Sequence, residues 1–408
     1  MTSSYSLIEQ LATHLRRPVD DATRARARLH LLDWLGCVAG ALGSRIAARA
    51  GQRYRAAHIV DFLGNVLEMD DVHREARLHP GPIIWPTIFR DSDFDFRSLL
   101  DAAVVGYEAM IAVGATFDDY HYASWHPTST AGYAGAAAAF ANLHVLNEQK
   151  TGWAMANALS VAGGFWHMRH DNVDTKQWHC VHVIETGTNA AYKADAGITG
   201  PMNLLEGPQG LYAATCRDPK PMVFTEHWRI HEVSFKPWAA CRHAHPVIDC
   251  ALELRAAGKL EPPFHVETYA DALTFCDKPD PQTETDAKFS LQHAVAVIAG
   301  GRNATPHDFT FDAIAALAPL RAQVTVSEAP DITARYPAHF GARVNGLELV
   351  DCRGDPERPV GEAEIIAKMH MLADWGGLPR EEADRAVELA LRGNDAGAIV
   401  TMLDEWLT

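Results

Sequence analysis

The sequence of 408 residues lacks the common nucleotide-binding and serine-hydrolase motifs. It has no GxGxxG after a predicted strand, no GxxxxGK[ST] and no GxSxG, which argues against NAD-dependent, ATP-dependent and serine-hydrolase chemistry. Basic residues are also few: 36 Lys and Arg stand against 52 Asp and Glu, for a formal net charge of -16. A nucleic-acid-binding protein needs a basic surface to displace counterions from phosphates. We therefore expect no nucleic-acid partner.

Long hydrophobic runs and paired cysteines are missing as well. The most apolar stretch, residues 131–141, consists of small side chains and is shorter than the roughly 20 residues that a membrane span needs. The first residues contain no apolar core of a signal peptide. Seven cysteines without a CxxC pair favour free thiols in a reducing compartment. These features predict a cytoplasmic protein with no membrane partner.

Apolar residues spaced three and four apart predict helices through roughly the first 220 residues. The predicted helices are Leu7–Leu15, Ala22–Leu42, Ile59–Leu67, Leu99–Ala115, Ser129–Leu143, Gly152–Ala162 and Val181–Ala196. Alanine and glycine dominate residues 131–139, and such small side chains let helix axes approach closely. This part of the chain is therefore predicted to form a tightly packed helical domain.

The pattern changes near Trp228, after which strand-like segments alternate with helical ones. The predicted strands are Val266–Cys276 and Gln323–Val326, with a hairpin at Gly341–Cys352 that turns at Asn345-Gly346, and the predicted helices are His245–Ala257, Ala287–Ile298, Glu362–Leu372, Arg380–Leu391 and Asp395–Leu407. We predict a mainly α protein with an α+β second domain. A large helical domain, residues 1–234 and 363–408, is interrupted by a smaller inserted α+β lid domain, residues 235–362.

Histidine is abundant, with 21 residues, and it gathers with other polar side chains in four short segments. These are residues 68–81, 126–128, 166–182 and 236–245. Each has an ordinary structural explanation, since an adjacent acid pair often lies in a solvated turn and a lysine often lies at the surface. Histidine nevertheless titrates near neutrality and binds metals. The four segments are therefore the candidates for the chemistry.

Five segments resemble, in order, the motifs of the MmgE/PrpD family. They are LEMDDVHREARLHPG (67–81), SWHPTSTAGYAGAAAAFANL (124–143), TKQWHCVHVIETG (175–187), SFKPWAACRHAHPVID (234–249) and DAKFSLQHAVA (286–296). The resemblance implies a helical domain with a smaller α+β lid, a homodimer, and an active site in the cleft between the domains. It thus implies the same domain organisation as the residue patterns.

The chemistry that the resemblance implies is proton transfer at a carbon next to a carboxylate, without a metal or an organic cofactor. Members of the family include 2-methylcitrate dehydratase, cis-aconitate decarboxylase and an iminodisuccinate epimerase. A small di- or tricarboxylate is therefore the expected substrate. Dehydration is the commonest assignment in the family, so a hydro-lyase of the 2-methylcitrate dehydratase type is expected. Epimerisation, isomerisation and decarboxylation stay open.

The motif positions give the residues that we expect in the site. The catalytic candidates are His126, Lys176, His79 and Lys236, supported by Asp70 and Asp71; the substrate-binding candidates are Arg242, His179, Arg169, His245, Glu68 and Cys241. Cationic side chains would hold the substrate carboxylates and stabilise the enolate-like charge. The base is either His126, whose imidazole is suited to neutral pH, or Lys176, whose pKa burial would lower. These side chains are expected to converge on one cavity.

Three positions depart from the family pattern. Glu68 stands where the family usually has aspartate. Cys241 stands where the decarboxylase branch has histidine, and a position near Phe275 matches a tyrosine of that branch. The last two departures make decarboxylation the less favoured reaction. The departures at Glu68 and Cys241 leave a second alternative, a non-catalytic relative that binds a carboxylate ligand.

A metal-dependent hydrolase is the alternative from another mechanistic class. It is suggested by the ligand-like histidine spacings His167-x-x-His170, His179-x-x-His182 and His243-x-His245. No HExxH motif accompanies them, and the lysine and arginine residues of these segments would repel a divalent cation. We therefore predict no metal in the site.

Overall fold

The chain forms two compact units in the computed structural model, which describes residues 5–54, 56–91, 93–171 and 173–407. The first, the helical unit, comprises Met1–Val66, Asp71–Val233 and Ile365–Thr408. The second, the mixed unit, comprises Leu67–Asp70 and Ser234–Glu364. The acidic pair Asp70-Asp71 is thus divided between the two units.

The helices before residue 234 all belong to the helical unit. They are α1 Leu7–His14, α2 Asp21–Ala41, α3 Arg45–Gly51, α4 Ala56–Leu63, α5 Gly81–Ile88, α6 Phe96–Gly114, α7 Asp119–Ser124, α8 Pro127–Leu143, α9 Glu148–Leu159, α10 Thr175–Asp195 and α11 Leu211–Thr215. Side-chain caps begin several of them: Asp20, Asp95 and Asn147 each accept a hydrogen bond from the backbone three residues on. Such caps satisfy amide groups that the helix itself leaves unpaired.

The later elements complete the chain. They are α12 His245–Ala256, β1 Phe264–Thr268, α13 Ala270–Cys276, α14 Glu284–Lys288, α15 Leu291–Ala299, α16 Phe311–Ala316, α17 Ala318–Arg321, β2 Val324–Glu328, α18 Pro330–Thr333, β3 Ala342–Val344, β4 Leu347–Leu349, α19 Glu362–Trp375, α20 Arg380–Leu391 and α21 Ala396–Trp406. Helices α20 and α21 lie in the helical unit, where α20 packs against α2 and α21 against α4.

The core of the helical unit is built around α8, which packs against α6, α9 and α10. Glycine residues allow these helices to approach one another closely. A Cβ atom on Gly135 would lie 2.7 Å from the Cβ of Met110 in α6, and one on Gly187 of α10 would lie 2.5 Å from the Cβ of Ala136. Both distances are shorter than real Cβ contacts. The small residues of α8, together with Gly187, therefore allow α6, α8 and α10 to pack closely.

A four-stranded mixed sheet, ordered β2-β1-β3-β4, organises the mixed unit. Strand β1 pairs in parallel with β2 and antiparallel with β3. Residues Asn345 and Gly346 join β3 to β4 with φ values of 44° and 85°, the left-handed geometry of a tight hairpin turn. Helix α12 packs against β3 and β4, and α15 packs against β2.

The predicted fold class, mainly α with a smaller α+β part, is confirmed. The strand predicted over Val266–Cys276 is wrong in its second half, because β1 ends at Thr268 and α13 follows. Ala272 and Cys276, four residues apart, are the buried residues of α13, so the apolar residues follow the helical period. The helix predicted over Ile59–Leu67 ends at Leu63. The predicted domain ranges stay predictions.

Among the described residues, no single helix is long and apolar enough to cross a membrane. The bent pair α2 and α3 passes that test by length and composition alone, with an angle of 84° between the two helices. All seven cysteines are free thiols.

Candidate active site

His126 caps the N-terminus of α8 and is 1% exposed. Pro127 follows it at the first helical position, where the missing N–H costs nothing. The backbone N–H of His126 donates to the carbonyl of Gly164 over 2.9 Å. Its ring lies 4.5 Å from the Trp166 ring, measured between centroids, and its Nδ1 lies 3.2 Å from Nδ1 of His179. The predicted base is therefore held on a buried, closely packed helix.

His179 faces His126 from the second turn of α10 and is partly buried. Burial, together with the nearby His182, lowers the pKa of His179 to about 4. Its imidazole is therefore neutral at pH 7. The pair His126–His179 joins a predicted catalytic residue to a predicted substrate-binding one.

The loop that covers His126 depends on a glycine. Gly164 has a φ of 110°, which side chains rarely adopt. A Cβ atom at this position would lie 2.6 Å from Oγ of Ser129 and 3.4 Å from Cε1 of His179. Gly164 therefore lets the backbone pass between the first turn of α8 and the His179 ring.

Lys176 and Arg169 lie close in the chain to this pair. Lys176 is the second residue of α10, three residues before His179, so both lie on neighbouring positions of one helix face. Arg169 belongs to the short 3₁₀ helix Trp166–His170, which also supplies the Trp166 ring. Both cationic side chains are partly buried. Their position agrees with the predicted role in holding a carboxylate, which stays a prediction.

His79 is linked to the same region through the backbone. Its N–H donates to Oγ1 of Thr128, in the first turn of α8, over 3.0 Å. Its ring Nδ1 lies 2.9 Å from the carbonyl oxygen of Asp71, so this nitrogen acts as a donor. The structure thus brings the predicted residues His79 and His126 to the same end of α8.

The Asp71 carboxylate is engaged within the protein. Its Oδ1 accepts from the N–H of Gly81 at the start of α5, over 2.8 Å. Its Oδ2 lies 2.8 Å from Nδ1 of His30 and 2.6 Å from the Tyr107 hydroxyl. Burial lowers the pKa of His30 well below its ordinary value, so a neutral ring donates here. These contacts indicate an anchoring carboxylate rather than one that reaches a substrate.

In the mixed unit, Lys236 and Asp70 form a buried ion pair. The Nζ atom of Lys236 lies 3.5 Å from Oδ1 of Asp70, and the two residues are 0% and 1% exposed. Two residues earlier, Glu68 has a φ of 59°, an unfavourable backbone conformation for a residue with a side chain. The acidic segment therefore contains a strained backbone position two residues before Asp70.

Cys241 shares this environment. Burial raises the pKa of its thiol, but hydrogen bonds from the Cys276 thiol and the His243 backbone, together with the charge of Lys236, outweigh burial and hold the pKa below its ordinary value. The negative charge of Glu68 opposes them. The mixed unit thus brings together four predicted residues: Glu68, Asp70, Lys236 and Cys241.

Arg242 has a carboxylate partner inside the mixed unit. Its Nη2 forms an ion pair with Oδ1 of Asp355. The same oxygen accepts from the Ser234 hydroxyl over 2.6 Å, and Oδ2 accepts from the N–H of Cys352. The structure therefore gives Arg242 a structural role. Its role in binding a substrate carboxylate stays a prediction.

His245 and His243 are both buried. Nε2 of His245 lies 3.1 Å from the carbonyl oxygen of Ala240, and Nδ1 of His243 lies 2.7 Å from the Tyr269 hydroxyl. The first contact fixes the start of α12. His243 also stacks on Phe275 at 5.0 Å. These contacts hold the two rings within the mixed unit.

The candidate residues fall into two groups, one in each unit. The helical unit contains Asp71, His79, His126, Arg169, Lys176 and His179, and the mixed unit contains Glu68, Asp70, Lys236, Cys241, Arg242 and His245. The expectation that all of them line one cavity stays a prediction.

Several partners of these groups were missed in the sequence. His30 and Tyr107 are buried residues of α2 and α6, and neither helix contains a motif that links them to Asp71. Asp355 follows the hairpin more than a hundred residues after Arg242. Trp166 belongs to the candidate segment 166–182, but its contact with the His126 ring was not predicted.

The histidine spacings of the metal hypothesis do not form a cluster of donors. His167 and His170 are exposed, with ring centroids 5.6 Å apart. Within the part of the chain that the structure describes, the group of three donors within reach of one another is His339, Asp351 and Glu357. None of the predicted pairs belongs to it.

Comparison with known proteins agrees with the motif resemblance. Family models for the MmgE/PrpD N-terminal and C-terminal domains match residues 52–223 and 238–392. Human cis-aconitate decarboxylase is 26% identical over 279 residues, which are 62% of this chain and 55% of that protein. The mouse enzyme of the same name is 27% identical over 182 residues, 41% and 37% of the two chains. The matches thus span about half, or less, of the curated relatives' length. Because the two family models together match well over half of the chain, it belongs to the MmgE/PrpD family.

Proposed function

We propose that the protein is a lyase that acts on a small di- or tricarboxylate by transferring a proton at a carbon next to a carboxylate. The observation that carries the proposal is the contact between the buried His126, at the N-terminus of α8, and the partly buried His179 of α10. Lys176 lies on the same face of α10 as His179. A neutral imidazole and a cation close together in the chain are the groups that this chemistry needs.

His126 is the proposed base. A carbon next to a carboxylate is a weak acid, so its proton must be removed by a positioned group while a cation stabilises the developing enolate-like charge. Lys176 is the proposed cation. His79, attached to Thr128 in the first turn of α8, is a further candidate to deliver a proton to a leaving group.

Lys236 is proposed as the catalytic cation of the mixed unit. Its ammonium group is buried and lies 3.5 Å from the Asp70 carboxylate, so it keeps its position without exposure to water. In a low-dielectric environment such a charge acts more strongly than in water. The charge of Lys236 in turn helps to hold the pKa of the Cys241 thiol below its ordinary value.

Dehydration of a substrate such as 2-methylcitrate is the preferred reaction. The relatives named cis-aconitate decarboxylase favour decarboxylation as the alternative. Against it stand Cys241 and Phe275, where the decarboxylase branch has histidine and tyrosine. The Phe275 ring stacks on His243 and carries no hydroxyl that could donate a proton. We further propose a cytoplasmic homodimer that uses neither a metal nor an organic cofactor.

The proposal is tested with 2-methylcitrate and cis-aconitate in heavy water. Deuterium uptake at carbons next to carboxylates, followed by NMR, reports proton transfer whatever the product. Formation of an alkene indicates dehydration, and release of CO₂ indicates decarboxylation. Failure to exchange or convert either compound would contradict the proposed substrate class.

Variants test the site. His126→Ala and Lys176→Ala are each expected to lower the exchange rate by about 10²–10⁴-fold, the usual contribution of a positioned acid or base. His144→Ala, at the C-terminal end of the same helix α8, is the matched control and should keep the wild-type rate. If both site variants keep full exchange, the assignment is wrong.

A further inference from the structure

The imidazole rings of His126 and His179 face each other through their Nδ1 atoms. Their Nδ1 atoms are 3.2 Å apart, a hydrogen-bonding distance for ring nitrogens. Two unprotonated nitrogens at this distance would repel through their lone pairs, and two N–H groups would clash. One proton must therefore lie between the two Nδ1 atoms.

A shared proton couples the tautomers of the two rings. A neutral imidazole carries one proton, on either Nδ1 or Nε2. If the shared proton belongs to His126, Nε2 of His126 is a base and His179 carries its own proton on Nε2. If the shared proton belongs to His179, Nε2 of His126 carries a proton and is an acid. Three movements together convert the first form of His126 into the second: Nε2 of His126 takes up a proton, the shared proton crosses to Nδ1 of His179, and the Nε2 proton of His179 is released to water.

The surroundings of the pair differ on its two sides. His126 is 1% exposed and lies under the Gly164 loop and the Trp166 ring. His179 is only partly buried, and His182, three residues further along α10, is exposed. His179 is therefore the member of the pair closer to water.

We propose that His179 is the proton partner of His126: it shares one proton with it through the Nδ1 contact and sets which nitrogen of His126 is basic. His179 acts through His126 and is thus a positioning residue. Its catalytic consequence rests on the proposed function, whereas the shared proton is a property of the free protein. The class of ligand is unchanged, a small polycarboxylate whose proton His126 takes or returns.

The free protein gives the first test. Long-range ¹H–¹⁵N spectra of ¹⁵N-histidine-labelled protein report the tautomer of each ring, and His126→Gln and His179→Asn assign the two signals. We expect one protonated and one unprotonated Nδ1 in the pair, and a changed tautomer ratio for His126 in His179→Asn. Two rings that both carry their proton on Nε2, or a His126 signal unaffected by His179→Asn, would overturn the proposal.

Kinetics on cis-aconitate and 2-methylcitrate in heavy water give the second test. The amide of His179→Asn places a hydrogen-bonding atom near the Nδ1 position but cannot pass a proton on, whereas His179→Leu removes both functions. We expect both variants to bind with a KM within about twofold of the wild type and to turn over about 10–100-fold more slowly. His144→Asn is the control. Full turnover in His179→Asn would mean that the ring only fills space and accepts a hydrogen bond.

The two tests separate the two ideas. If neither compound exchanges but the spectra show the shared proton, the proposed function fails and the proton pair stands. If exchange occurs and the spectra show independent rings, the function stands and the proton pair fails.

Discussion

Replacement of Asp71 by asparagine distinguishes an anchoring carboxylate from a catalytic one. The hydroxyl of Tyr107 already accepts from Nε1 of Trp85 over 3.1 Å, so its hydrogen points to Asp71. An asparagine that keeps an oxygen toward the N–H of Gly81 turns its NH₂ group toward His30 and Tyr107. His30 can adapt by changing its tautomer, but the Tyr107 hydrogen then faces another donor.

The expected loss in free energy of unfolding is about 3 kcal/mol, since the variant loses a hydrogen bond to a charged group and leaves a buried donor unsatisfied. Urea denaturation at pH 7 measures it, and the unfolding slope should stay unchanged. Asp119→Asn is the control, because that carboxylate pairs with Arg77 but its side chain is 91% exposed; its urea midpoint should match the wild type. A change below about 0.5 kcal/mol for Asp71→Asn, or lost exchange activity at unchanged stability, would refute the anchoring role.

Three further predictions concern single substitutions. Lys236→Met should abolish proton exchange on cis-aconitate and lower the free energy of unfolding by about 3–5 kcal/mol, because Asp70 loses its buried counter-charge; full exchange in a folded variant would contradict it. Burial raises the pKa of the Asp61 carboxyl to about 7. The protonated carboxyl therefore contributes fully to the free energy of unfolding below about pH 4, and this contribution is lost as the pH rises through about 7. Urea titrations from pH 4 to 8 should show the fall in free energy of unfolding, and Asp61→Asn should make the free energy of unfolding less dependent on pH. Gly164→Ala should lower both stability and exchange, because its Cβ would collide with Ser129 at a backbone conformation that alanine disfavours; wild-type values of both would show that the loop can shift freely.

The helices could be predicted closely because periodic burial decides them. Helix α20, Arg380–Leu391, has the predicted bounds, and the Asn345-Gly346 turn was recognisable because both residues tolerate positive φ. The segment from Val266 to Cys276 was harder, because alanine, leucine and cysteine in its second half fit a strand or a helix equally. There the strand ends after Thr268, and Tyr269 begins the helix.

Contacts between distant residues were the part of the site that could not be predicted. The sequence predicted a helix from Ser129, three residues after His126, but it gave no sign that His179 lies against His126, 53 positions later. The role of Asp71 depends on His30 and Tyr107, which are distant in the sequence and form no motif with it. A motif identifies a residue type that chemistry can use, whereas only the fold decides which neighbours it has.

The close packing of α8 limits how this protein can change its chemistry. The middle of α8 does not accommodate larger side chains, since even a methyl group at Gly135 would collide with Met110. New specificity is therefore expected at its N-terminal end, among the first-turn residues and the loop that ends at Trp166. A directed-evolution library restricted to those positions should yield altered substrates more often than one spread along the helix.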